Sequence, residues 1–148
     1  MGLFMYEKKG IHAYRQDSLK SDLASADPHR VIQLLMQGAL ERLALGKGFI
    51  ERGDLQGKAT ALTNAVEIIN GLRDALDRDT NPELVDNLDS LYDYMTVKIN
   101  EASATRDTSI IDHVMELLLQ VKGAWDQISE ADKQKAYADR AEARVGIA

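Results

Sequence analysis

Cysteine is absent from the 148 residues, which excludes disulfide staples, thiolate metal sites and a cysteine nucleophile, so the fold must be held by its own core. Proline occurs only at Pro28 and Pro82, and neither falls inside a run of helical spacing, so long helices can run unbroken. No stretch approaches the roughly 18 uninterrupted apolar residues of a membrane helix. Residues 1–6 hold a few apolar side chains, but Glu7, Lys8 and Lys9 follow at once, leaving no secretory signal core. A cytoplasmic protein without membrane insertion is expected. A positive excess is missing as well: the formal net charge is −6 with mixed signs, which works against nucleic acid as the main partner.

The motifs of common chemistry are missing too. There is no phosphate-cradling glycine loop, dinucleotide fingerprint or nucleophile elbow. A metal site of the di-iron bundle type needs Glu-x-x-His on two helices, whereas His113 precedes Glu116 in the reverse order and only once. His12, His29 and His113 are scattered, and solvated helix-surface positions are expected for them. No metal, no cofactor and no catalytic residue is expected, so the chain reads as a non-enzyme.

Apolar residues make up 45% and charged ones 28%, a balance that supports one globular domain over residues 1–148. Asp27-Pro28 supplies a cap and a first-turn proline for a helix over residues 28–52. Gly53-Asp54 ends it and caps a second, to about Arg78, with Leu55, Leu62, Ala65, Ile69, Leu72 and Leu76 on one face. Asn81-Pro82 repeats the start signal for a third, to about Ala104, carrying Leu84, Leu88, Leu91, Tyr92, Met95 and Ile99. Asp107-Thr108 opens a fourth, with Ile111, Val114, Leu118, Val121, Trp125 and Ile128. Short connections make such helices antiparallel neighbours, so the expectation is an all-α, antiparallel up-down four-helix bundle over residues 28–128. Residues 1–25 are expected to form a mobile head or short helix, and residues 129–148 a polar tail or short helix.

The first helix is unusual. Leu34, Leu45, Val31, Phe49, Leu35, Ala39, Ile32, Ile50, Leu43, Met36 and Leu40 spread over an arc of ~240°, against ~100° for an ordinary surface helix. One bundle interior cannot cover that width. Another segment of the chain, or a partner helix, is needed to cover the rest. Ile32, Leu35, Met36, Ala39 and Leu43 are the candidate contacts, each also a candidate for the core.

Four stretches together resemble the FliS family of flagellin-specific export chaperones. They are Gly10-Ile11-His12-Ala13-Tyr14, the run from Asp27-Pro28-His29-Arg30 through Leu40, Ala65-Val66-Glu67-Ile68-Ile69-Asn70-Gly71-Leu72, and Asn87-Leu88-Asp89-Ser90-Leu91-Tyr92-Asp93-Tyr94-Met95. The similarity extends from about residue 10 to Ile128. It implies a helical bundle around which the C-terminal region of flagellin wraps, held unpolymerised and delivered to the flagellar type III export gate, where FlhA receives the loaded complex. Ile11 and Tyr14 match head positions that the family uses at this hand-over. Two other readings stay open on the residues themselves: an adaptor for another amphipathic helix such as an anti-sigma factor, and a metal-dependent bundle oxidoreductase.

Overall fold

The computed structural model describes residues 27–128, together with positions 132, 135 and 138. Residues 27–128 form four helices: α1, Pro28–Glu51; α2, Leu55–Asp74; α3, Pro82–Thr105; and α4, Thr108–Asp126. The all-α helical bundle expected from periodicity is the observed fold class. Compact packing divides the chain into two units, Met1–Leu34 and Leu35–Ala148, with the division falling inside α1. The head, with Ile11 and Tyr14, lies outside the described residues. Of the tail, Asp132, Lys135 and Ala138 are described, each helical and exposed.

Each helix begins where a short polar side chain can take up N–H groups that have no partner in the first turn. Asp27 accepts from the Arg30 N–H at 2.8 Å, ahead of Pro28. Asp54 accepts from the Gly57 N–H at 2.9 Å, Asn81 from Leu84 at 3.3 Å and Asp107 from Ser109 at 3.0 Å. Gly53 turns the chain between α1 and α2 at φ +73°, a conformation that costs little without a Cβ.

In the second unit the helices run antiparallel, neighbour to neighbour. Lys58 at the start of α2 donates to the Ser103 carbonyl at the end of α3 at 2.8 Å, while Arg73 at the end of α2 meets Asp89 near the start of α3. Tyr94 on α3 meets His113 on α4 at 3.1 Å. Lys47 on α1 bonds Asp112 on α4 at 2.8 Å, which returns the sequence of neighbours to the first helix. The interior is filled by Met36, Leu43, Ile69, Leu72, Met95, Ile99, Ile111, Val114 and Leu118, all essentially without exposure. Burial of this kind supplies most of the driving force for folding.

Four local expectations change. Helix α2 stops at Asp74 rather than near Arg78, because Asp77 folds the chain into a turn by accepting from the Asp79 N–H and the Thr80 hydroxyl. On α3 the inward stripe is Val85, Tyr92, Met95, Thr96, Ile99 and Ala102, so Leu84 stands half-exposed, one position off the stripe. Leu55, at the first position of α2, is likewise exposed. His29 is not a solvated side chain but is 3% exposed in the first turn of α1.

Candidate partner-binding cleft on the first hairpin

Helices α1 and α2 approach closely at two glycines. A Cβ on Gly46 would lie 2.8 Å from Leu62 Cγ, and one on Gly57 2.8 Å from Phe49 Cγ. Only a hydrogen at each position lets the α2 leucine sit against α1 and the α1 phenylalanine lie across the first turn of α2. Further along the same pair, Gly38 would place a Cβ in ordinary contact with Ile68 at 3.6 Å. The hairpin is therefore tight along its inner line, and it opens outward into a cleft of about 420 Å³.

Leu45, Phe49 and Ala61 supply the apolar lining of this cleft, with Gly57 between them. Leu45 is 44% exposed and Phe49 is half-buried. Gln56, Thr60 and Asn64 line the α2 bank, and Arg42 and Asp54 complete the wall. Just beyond it the Arg52 guanidinium stands 5.1 Å from the centroid of the Phe49 ring, a cation–π arrangement that holds both groups in place. The Asp54 carboxylate is turned into the start of α2 as its cap, where the helix dipole offsets its charge.

The candidate contacts of α1 divide by burial. Ile32, in the first unit, and Leu35, in the second, are half-buried. Met36, Ala39 and Leu43 are 1%, 0% and 0% exposed, so these three form interior and not presented surface. Their spacing of three and four residues is that of a core stripe, which continues to the buried Gly46 against Leu62. Of the remaining apolar residues on the broad arc, Leu40 is buried, Val31, Leu34, Phe49 and Ile50 are half-buried and Leu45 is exposed. The arc is thus only partly filled. The cleft-forming pair Leu45 and Phe49 was visible as part of that arc, but Gly57 and Thr60 across from it were not, since their role depends on which face of α2 turns toward α1.

On the opposite flank of α2, charge replaces the open cleft. Arg73 donates from Nε to Asp89 Oδ1 at 2.7 Å and from Nη2 to Asp89 Oδ2 at 3.2 Å, a two-point fork. Its Nη1 reaches Asp93 at 3.1 Å, and Arg78 adds a bond to Asp89 Oδ1 at 3.0 Å. The Arg73 hydrogen bonds, then that of Arg78, hold the Asp89 carboxyl down at about 2. On the same turns of α3, burial pushes the Tyr92 phenol up to about 12. The exposed Tyr94 ring meets His113 edge-on at 5.9 Å, with Lys98 Nζ 5.7 Å from its centroid. The stretch from Asn87 to Met95 therefore serves three neighbours at once: α2 through its aspartates, the interior through Tyr92 and Met95, and α4 through Tyr94.

Among the described residues no group of three His, Asp or Glu could hold a metal ion, and no helix is long and apolar enough to cross a membrane.

A family model described as "Flagellar protein FliS" matches residues 10–132. The chain belongs to the FliS family. It is 48% identical over 125 residues to the flagellar secretion chaperone FliSB of Pseudomonas aeruginosa, covering 84% of this chain and 99% of that protein. It is 37% identical over 137 residues to the flagellar secretion chaperone FliS of Vibrio cholerae, covering 93% and 97% of the two chains. With the FliS of Salmonella typhimurium the identity is 41% over 126 residues, 84% of this chain and 93% of the relative. A crystal structure titled as a flagellar chaperone from bacteria superposes with a TM-score of 0.64 at 20% identity, over 79% of this chain and 94% of that one. That likeness supports the fold. The resemblance read from the four sequence stretches is accordingly a family membership.

Proposed function

We propose that this FliS-family chain is a cytosolic export chaperone that binds the C-terminal helical region of flagellin, keeps it from polymerising, and delivers it to the flagellar export gate through FlhA. The relatives named as flagellar secretion chaperones support the general role. The observation that carries the binding reading is the apolar arc of α1, which the described residues leave half-buried or exposed at Ile32, Leu35, Leu45, Phe49 and Ile50. A polymer-forming helix carries apolar surface of its own until it is assembled. Folding such a segment onto a groove can bury roughly 1,000–3,000 Å² while costing about 2–5 kcal/mol in ordering. The action is therefore holding and release, with no bond made or broken in the partner.

In this reading Ile32 and Leu35 touch the partner directly, Met36, Ala39 and Leu43 form the floor beneath them, and Ile11 and Tyr14 act at the hand-over. Co-expression with full-length flagellin and with flagellin lacking its C-terminal region tests it. Co-purification of the full-length form alone is expected. Equal recovery of both forms, or of neither, would remove flagellin's C-terminal region as the partner, and recovery of an anti-sigma factor in its place would favour the adaptor reading.

A further inference from the structure

The cleft between α1 and α2 combines an apolar floor with two cations that no carboxylate of the described residues pairs. The chain is acidic overall, at −6, yet two guanidinium groups stand by this cleft: Arg42 in its wall and Arg52 over the Phe49 ring. Among the described residues neither takes part in an ion pair, whereas Arg73 on the far flank of α2 and Arg78 in the turn that follows it are both bonded to aspartates. The one carboxylate in the cleft wall, that of Asp54, is committed to the Gly57 N–H. An apolar anchor placed against Leu45, Phe49 and Ala61 would thus sit within reach of two unmatched cations. We infer that this cleft docks a helical segment in which an apolar side chain is flanked by carboxylates, so that the partner is read by charge as well as by apolar fit.

A groove between two antiparallel helices suits a third helix lying along it. A carboxylate beside Arg42 or Arg52 would form its bond where the apolar anchor has already displaced water, which strengthens the attraction over that of an exposed pair. The inference rests on the proposed role as a helix-binding chaperone, and it adds the acidic character of the segment bound and the place where that character is read.

The test uses the full chain and a fluorescently labelled C-terminal segment of flagellin in two forms, native and with every Asp and Glu replaced by Asn and Gln. The native form should bind roughly tenfold tighter at low salt, with the advantage shrinking as salt rises. The double variant Arg42→Gln with Arg52→Gln should lose about the same factor against the native segment and show no preference between the two forms, as coupled partners do in a double-mutant cycle. Thr60→Trp, which fills the cleft from an exposed position, should weaken both forms, while Thr63→Trp, exposed on α2 but outside the cleft, should weaken neither. The inference is overturned if the double variant still prefers the native form, or if the two tryptophan variants behave alike. If the parent binds neither form, the proposed function falls and the inference with it.

Discussion

Helix α2 has two flanks, and they are held differently. Toward α3 it presents Arg73, which with Arg78 is paired with Asp89 and Asp93 from within the chain. Toward α1 it presents Leu62 against Gly46 and Gly57 against Phe49, and on that side Arg42 and Arg52 take part in no ion pair among the described residues. The first flank is complete as it stands. The second is close-packed along its inner line and incomplete along its outer one. The difference teaches where to look for a partner: at the interface whose cations take part in no ion pair among the described residues and whose apolar groups stay exposed.

The comparison can be broken most severely in the core that both flanks share. Ile99→Ala should destabilise the fold by about 2–5 kcal/mol in denaturant unfolding, because the side chain is wholly buried and leaves a cavity. Leu119→Ala, on an exposed face of α4, should fall within about 0.5 kcal/mol of the parent. The close approach of the first hairpin is next. Gly46→Ala gains helix propensity but drives a Cβ into the buried Leu62, and a net loss of about 1–3 kcal/mol is expected. Gly71→Ala meets nothing within 4 Å and should stabilise by up to about 1 kcal/mol. Equal effects at the two glycines would show that α1 and α2 are not packed as described.

The charged flank gives a smaller, pH-dependent effect. The Asp89 carboxyl is depressed to about 2 in the folded chain from an ordinary value of 3.8. A depressed carboxyl contributes stability above its unfolded value, and that contribution is lost as pH falls from about 4 toward 2. Asp89→Asn should therefore flatten the loss of thermal stability over that window and lower stability modestly at neutral pH. A parent and variant with identical acid profiles would show that the fork does not couple α2 to α3.

Much of this was legible before any coordinates. Asp27-Pro28, Gly53-Asp54, Asn81-Pro82 and Asp107-Thr108 marked all four helix starts, because capping and fixed φ are local properties. The excess apolar width of α1 was legible for the same reason. The end of α2 was not, because the Asp77 turn competes with helix through side-chain bonds that spacing does not reveal. The inward stripe of α3 was misplaced by one position at its start, since Leu84 and Val85 are equally apolar and only the seven-residue step from Tyr92 back to Val85 separates them. Met36, Ala39 and Leu43 were legible as contact or core, and their burial decides for the core, a choice that periodicity on one helix cannot make because it does not say which part of a wide arc faces its neighbours.

The amino-acid order by itself determined where helices begin, that they pair by short antiparallel connections, that no disulfide can hold them, and that α1 carries more apolar surface than one interface needs. Tertiary structure alone decided which arginines found carboxylates among the described residues, and which side chains of α1 became core. The physical reason is range. Caps and periodicity act over one or two turns of the chain, whereas the pairing of Arg73 and the exposure of Leu45 depend on contacts between residues brought together only when the helices pack.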